Sequence, residues 1–600
     1  MKKVKAGVAF GDYISQERYT GTSRKYSDSK RSNSVRWYLL PVITGLIFIF
    51  ILVKLFSLQI LSGAYFRHLA DTNRTKTVLV HAPRGIIFDR NGVPLVFNMP
   101  GFRKEKDGKI ELLTQEEALP ILTNKDSGLE IDSLRKYPYK DAFSHALGYI
   151  GQISKEELKS PQFSDYNGGD IIGKTGIEQR YEQTLRGTDG KKLIEVDSQG
   201  RQVRALGQTD PISGRDITLT LDSGLQNAVF EAMNGVKKGA AIVSTPKGEV
   251  LAIVSSPAFD PNFFTLGKDY KPATDSAYQK ISDVLLDGQS QPLLNRAISG
   301  TYPPGSTFKL VVASSGLQDN VIDENYTVSD TGVLRLGEFS FSNWYFSQYG
   351  RTEGDVNVVK GIKRSNDIFF YTLAGKVGVD TISKMGEKFG LGKTLGIDLN
   401  GEAKGILPST SWKEKAIGEQ WYLGDTYHYG IGQGYLLVTP LQVNGWTQAI
   451  ANSGTLYQPH ILKETKPNAL TSNFLSEKTV SLIREGMIGA CSSSGVAWPL
   501  FDFAVKNPKL KIDGKNFTEV PQASISASFA DYRKVSIACK TGTAQHGGEQ
   551  TLPHAWITLF APAYNPQIVV TVLSEESGEG SNVAAPIAKK ILEYWFSRSN

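Results

Sequence analysis

From Trp37 to Val53 the chain runs WYLLPVITGLIFIFILV without a single charge, and no other stretch constrains the fold as tightly. Inside a bilayer every backbone N–H and C=O must find its partner within the segment, so a lone run of this kind is helical. Crossing the hydrocarbon takes about 17–25 residues; the run meets the short end of that range and continues past Lys54 into LFSLQIL. Trp37 and Tyr38 stand where interfacial aromatics belong. The segment before it holds Lys2, Lys3, Lys5, Arg18, Arg24, Lys25, Lys30, Arg31 and Arg36 against Asp12, Glu17 and Asp28. The positive-inside rule therefore keeps the N-terminus cytoplasmic and exports the remainder. A cleaved signal peptide is the rival reading, but the leading region is long and no small-residue cleavage site follows in LQILSGAYF. The sequence predicts a mobile basic tail over 1–36 and an uncleaved single-pass anchor over 37–58 in the cytoplasmic membrane.

With 600 residues, 40% of them hydrophobic, the chain has room for two or three domains and a large core. A net charge of +7 is compatible with nucleic acid, yet the basic residues are spread along the chain with no zinc-finger or RNP-type pattern, so no nucleic-acid partner is expected. Cys491 and Cys539 are the only cysteines, too few for a disulfide framework or a thiolate metal site, and the sequence does not say whether they pair. Cys539 reads as a small buried hydrophobe. GGDIIGKT, Gly168 to Thr175, fits the phosphate-loop pattern in full, but ELKSPQFSDYN before it is polar where that mechanism needs a buried strand. We reject nucleotide binding there, and with it Lys174 to Gly176 as a catalytic Lys-Thr-Gly.

The chemistry gathers around YPPGSTFK, Tyr302 to Lys309, where a Pro-Pro-Gly turn leads into the apolar run LVVASSGL and so into a helix. Ser306 and Lys309, three apart near a helix start, share a face. A serine hydroxyl is a weak nucleophile unless a base activates it, and a lysine serves as that base only where its surroundings favour the neutral amine. S-x-x-K alone occurs by chance on many solvated helices. Two later stretches alter that: Ser365-Asn366-Asp367 and Lys540-Thr541-Gly542-Thr543. In KVSIACKTGTA, Val535, Ile537 and Cys539 alternate with Ser536, Ala538 and Lys540, which predicts one strand with Lys540 on the cleft face. Gly542 permits close backbone approach, and Thr541 and Thr543 offer hydroxyls to a carboxylate.

These three motifs in this order resemble the signature of the penicillin-recognising serine acyltransferases. RGIIFDRNG, Arg84 to Gly92, and GIEQRYEQTLRGTDGKK, Gly176 to Lys192, resemble blocks of the non-catalytic pedestal of class B penicillin-binding proteins. GEAKGILP and DTYHYGIGQGYLLVTPLQ extend the resemblance, which covers roughly residues 55 to 595 and is nearer the elongation type than the division type. It implies an α+β fold: a transpeptidase (β-lactamase-like) domain with an antiparallel sheet flanked by helices, after a mainly β pedestal (dimerisation-like) domain and one membrane helix. The boundaries expected are 59–213 for the pedestal and 214–600 for the transpeptidase domain. Strands first, helices in the middle and strands last suit such a sheet.

The resemblance also implies roles. Ser306 would be the nucleophile and Lys309 the base, with Ser365 and Lys540 relaying a proton, and backbone N–H groups of Ser306 and Thr543 forming the oxyanion hole. Taking Ser365 and Asp367 as the functional pair of the second motif places Asp where Asn is more usual; Arg364 to Asn366 is the other possible register. The implied reaction is D,D-transpeptidation of D-Ala-D-Ala stem peptides through a serine acyl-enzyme, with β-lactams as lasting acylators. The implied partner is a polytopic glycosyltransferase of the shape, elongation, division and sporulation family. Some elongation-type members carry a metal between the first two motifs; residues 310–364 here hold no His or Cys, so neither metal nor cofactor is expected. A non-catalytic β-lactam sensor or scaffold is the rival of a different class.

Overall fold

The computed structural model describes residues 36–598 except 123–127, 198, 200, 268, 512–514, 516, 520–530 and 549. The basic tail expected before the anchor lies outside the described residues. The chain divides into two units, residues 1–76 with 194–204 and residues 77–193 with 205–600.

In the first unit α1 (Arg36–Phe56) passes through a π-helical turn at Ser57–Leu61, and α2 (Gly63–Arg74) follows. Tyr38–Leu61 is long and apolar enough to cross a membrane: 24 residues with a mean hydropathy of 2.6, none of it buried against protein. At a rise of about 1.5 Å per residue it exceeds the roughly 30 Å of a bilayer core.

The N-terminal part of the second unit contains β1 (Ile87–Phe88), β2 (Pro94–Lys106), β3 (Lys109–Leu113), β4 (Leu129–Lys136) and β5 (Ile217–Thr218). They form one sheet in the order β5-β1-β2-β3, with β4 also paired to β2. The turn between β1 and β2 is made by its own side chain. Asp89 Oδ1 accepts the N–H groups of Asn91 and Val93, each at 2.8 Å, and Gly92 takes the positive φ of +83° that closes the turn. Asp89 Oδ2 also accepts the Ser223 hydroxyl at 2.7 Å, tying this hairpin to the helix that follows β5. The two pedestal-like blocks meet in a buried ion cluster. Glu178, with no exposed surface, accepts from Arg135 Nε at 2.7 Å and Arg84 Nη2 at 2.8 Å, and Arg84 also reaches Glu182 at 2.9 Å. The phosphate-loop look-alike is no phosphate cradle: its strand is only Ile171–Gly173, and Lys174 Nζ is paired to Glu157 at 2.6 Å.

Beyond β5 the order is α3 (Ser223–Ala232), β6 (Gly239–Ser244), β7 (Val250–Ser256), then α4 (Lys309–Gln318), α5 (Val358–Arg364), α6 (Asp367–Val377), α7 (Pro440–Ala451) and α8 (Glu477–Ala490) among further helices. The chain closes with β8 (Ala538–Ala544), β9 (His554–Ala561), β10 (Ile568–Ser574) and α9 (Ala584–Ser597). The sheet is antiparallel in the order β7-β6-β10-β9-β8, so its first strands and its last are joined through β6 and β10. Period-two alternation feeds two cores. In β9, Trp556 and Phe560 face the core that holds Trp446 of α7 and Phe308, whereas Ile557 and Leu559 face the core of α3 and α9 with Leu225, Val229 and Ile591. A buried hydroxyl chain, Thr447 to Thr558 at 2.7 Å and Thr558 to Thr571 at 2.9 Å, pairs these three side chains between α7 and the sheet.

One expected element is corrected. KVSIACKTGTA is two strands: Tyr532–Val535 pairs with Ala504–Lys506 and Phe517–Glu519 in a separate small sheet, and β8 starts afresh at Ala538. The break lies at Ser536, whose carbonyl and hydroxyl both accept the Ala563 N–H, so its backbone is taken out of either ladder. The apolar set Val535, Ile537 and Cys539 nonetheless enters a single core.

Candidate active site

Ser306 is presented by a turn that its neighbours hold from three sides. Gly305 adopts φ +54°, a conformation costly for any residue with a Cβ, and its N–H donates to the Gly432 carbonyl at 2.9 Å. The Trp556 indole donates to the Pro303 carbonyl at 3.1 Å, and Tyr302 pairs with Val438 on both its N–H and its carbonyl, each at 2.9 Å. Gly305–Phe308 is a 3-10 turn that passes into α4 at Lys309. Positions three apart eclipse in such a turn, which stacks Ser306 above Lys309.

The second motif sits at a helix–helix joint. Ser365 ends α5 in a left-handed conformation, φ +54°, and Asn366 caps α6 by accepting the Phe369 N–H at 2.8 Å. The sharp turn sends Ser365 and Asp367 toward the two lysines and Arg364 away, onto Glu353 at 2.8 Å. The third motif is the sheet's edge strand, β8. Lys540 shares a face with Ala538 and Ala544, toward α4, while Cys539 points into the opposite core.

The side chains converge. Lys540 Nζ donates to Ser365 Oγ at 2.8 Å and to the Thr541 carbonyl at 3.0 Å. Lys309 Nζ donates to Asp367 Oδ1 at 2.6 Å and to the Ser365 carbonyl at 2.8 Å, with Ser365 Oγ at 3.4 Å. Asp367 Oδ2 accepts the Trp344 N–H at 2.9 Å. Both lysines have no exposed surface. Burial holds the Lys309 ammonium below its usual range, with Asp367 pulling the other way. Burial drives Lys540 further down, helped by the charge of Lys309 and opposed by Asp367. One carboxylate beside two buried amines balances one positive charge, so the site favours holding one of the two amines neutral.

The Thr541-Gly542-Thr543 backbone runs alongside. A Cβ at Gly542 would lie 3.0 Å from the Pro304 carbonyl and 3.0 Å from Thr307, so glycine is what lets this strand approach the Ser306 turn. Thr543 is exposed at the cleft edge, its hydroxyl 3.4 Å from the Gly580 N–H. Three supports were not singled out as functional from the sequence, although Gly432 lies within the DTYHYGIGQGYLLVTPLQ stretch. Asp330 Oδ2 accepts from Asn343 and Asn366, Asn343 accepts the Asp367 N–H at 3.2 Å, and Gly432 backs the serine turn. Each acts across a long stretch of chain, with no local spacing to betray it. Among the described residues no group of three or more His, Cys, Asp or Glu is placed to hold a metal ion.

The family described as "Penicillin binding protein transpeptidase domain" matches residues 239–593, and "Penicillin-binding Protein dimerisation domain" matches residues 104–219. The chain is 33% identical to peptidoglycan D,D-transpeptidase MrdA of Acinetobacter baumannii over 92% of its length and 86% of that protein. It is 31% identical to MrdA of Escherichia coli K12, over 91% of each. Among solved structures it is similar to Pseudomonas aeruginosa PBP2 in complex with WCK 5153 (33% identity, TM-score 0.65, 87% of this chain and 96% of that one). It is also similar to PBP2 of Helicobacter pylori in complex with MreC (27% identity, TM-score 0.69, 87% and 99%). The chain belongs to the penicillin-binding protein transpeptidases, in the group of the MrdA (PBP2) peptidoglycan D,D-transpeptidases.

Proposed function

We propose that the protein is a serine D,D-transpeptidase that cross-links peptidoglycan stem peptides during cell elongation and is acylated by penicillins. The observation that carries this reading is the Lys540–Ser365–Lys309–Asp367 network assembled beside Ser306 from three separate stretches of chain. Ser306 Oγ attacks the carbonyl of the penultimate D-Ala while neutral Lys309 takes its proton. The resulting alkoxide is held by the backbone N–H groups of Ser306 and Thr543. The proton returns to the leaving D-alanine amine through Ser365, whose hydroxyl lies between the two lysines. Lys540 polarises that hydroxyl, and Thr541, Gly542 and Thr543 receive the substrate carboxylate. An amine of a neighbouring stem peptide then attacks the ester, gives up a proton by the reverse route, and frees Ser306.

In this reading residues 1–36 are a cytoplasmic tail, 37–58 the anchor, 59–213 the pedestal and 214–600 the transpeptidase domain, with everything beyond the anchor outside the cytoplasmic membrane. The apolar Tyr38–Leu61 helix supports the anchor. The partner is a polytopic glycosyltransferase of the shape, elongation, division and sporulation family. A PBP2–MreC complex and a peptidoglycan synthase complex among the similar structures support partners of the shape machinery. Labelling with a fluorescent penicillin tests the reading. Wild type labels, Ser306→Ala does not, and Ser365→Ala labels slowly; equal labelling of Ser306→Ala removes it.

A further inference from the structure

Lys540 lies on β8, the edge strand of the sheet, which has only β9 as a ladder partner in that sheet. Among the described residues its free side has no strand to fix how far β8 stands from the helices across the cleft, yet Lys540 Nζ reaches Ser365 Oγ at 2.8 Å. Behind that contact runs a second connection. Cys539, the residue before Lys540, is disulfide-bonded to Cys491, which caps α8. Three residues on, the Ser494 carbonyl accepts from Arg364 Nη1 at 2.8 Å, and Arg364 is the residue before Ser365. One short segment, Cys491 to Ser494, thus holds the chain neighbours of both motif residues.

The segment is itself stiff. The Val496 and Ala497 N–H groups both fold back onto the Ala490 carbonyl, at 3.1 Å and 2.9 Å, and Ser494 is wound into φ +64°. Helix α8 lies against α5 through two glycines: a Cβ at Gly486 would stand 2.7 Å from Ile362 Cβ, and one at Gly489 3.1 Å from Lys363. The path from β8 to Ser365 is therefore covalent through the disulfide and the chain, with one hydrogen bond, from Arg364 to Ser494, and the α8–α5 packing beside it.

We propose that the Cys491–Cys539 disulfide, with the Arg364–Ser494 hydrogen bond, is a positioning clamp that sets the distance between Lys540 and Ser365 for acylation. This rests on the transpeptidase reading above. The disulfide acts through Lys540 and touches no substrate. Misplacement of a reacting group by about 1 Å costs about 100-fold in rate, so a loosened edge strand slows the chemical step and leaves ligand binding nearly intact.

The test uses the full-length protein in detergent and a fluorescent penicillin, with the acylation rate constant separated from the initial dissociation constant, well below the thermal midpoint. Cys491→Ala/Cys539→Ala is compared with wild type, with Arg364→Ala, and with the triple variant. The clamp predicts a fall of about tenfold or more in the rate constant, a dissociation constant within about twofold, and loss of Arg364 costing less once the disulfide is gone. Mild reduction of the wild type reproduces the same loss, alkylation and mass measurement of one portion count the thiols released, and reoxidation of a second, unalkylated portion restores the rate. A staple that only stabilises the fold lowers the thermal midpoint and leaves the rate constant and its pH profile unchanged; that result overturns the clamp. Two freely alkylated thiols in the untreated protein also overturn it. Absence of acylation in wild type sinks the transpeptidase reading itself.

Discussion

Asp367→Asn isolates the electrostatics of the site, because it removes the charge beside Lys309 and keeps the shape. Lys309 Nζ and Asp367 Oδ1 are 2.6 Å apart, with both side chains largely out of water. At an effective dielectric of about 20, unit charges about 4 Å apart interact by about 4 kcal/mol. Asn keeps one acceptor for the lysine, so part of that interaction survives, and Lys309 gives up its proton more readily than in the wild type. The sign follows from the cause. Lys309 is already held below its usual range by burial, and Asp367 is the group that keeps its proton on. Acylation uses the neutral amine, so its rate rises with pH through the Lys309 transition. Without the carboxylate, that transition moves to lower pH. The assay is the second-order rate of penicillin acylation from about pH 5 to 10, wild type against variant, with folding checked by thermal midpoint. A rising limb that stays in place, or moves to higher pH, refutes the assignment of Lys309 as the base held by Asp367.

Other perturbations separate the serine turn from the scaffold. Gly432→Ala puts a Cβ at φ +76° against the Gly305 carbonyl and 2.9 Å from Phe308 Cβ, so acylation falls at least about tenfold, by more than the accompanying fall in thermal midpoint accounts for. Arg135→Met leaves Glu178 buried with half its partners, and chemical unfolding detects a loss of about 3–5 kcal/mol with acylation of the surviving folded protein unchanged. Trp446→Ala opens a cavity between α7 and the sheet at a site with no exposed surface, and costs about 3–5 kcal/mol by the same measurement.

Much of the fold was legible because period and turn chemistry act locally. The Asp89-to-Gly92 turn announces the β1–β2 hairpin, the uncharged run announces α1, and the near-continuous apolar runs of β9 and β10 suit strands buried on both faces. The break at Ser536 was not legible, since it depends on Ala563 arriving from the turn between β9 and β10. Of the site, the three motifs stand out by residue type and spacing, whereas their supports do not. Asp330, Asn343 and Trp344 reach the second motif only through folding, and Gly432 is one glycine among 59 until Gly305 is placed on it. The pairing of Cys491 with Cys539 belongs to the same class: they stand 48 positions apart in the sequence, and only the packing of α8 beneath β8 brings them together.

The most direct test of the central claim is product formation. Full-length protein is given nascent glycan strands bearing D-Ala-D-Ala stem peptides, with free D-alanine and cross-linked dimer quantified together. The account predicts D-alanine and cross-links in step for wild type, and neither for Ser306→Ala. Penicillin labelling at Ser306 without cross-links on such strands would contradict it, leaving a β-lactam-binding scaffold on a transpeptidase fold.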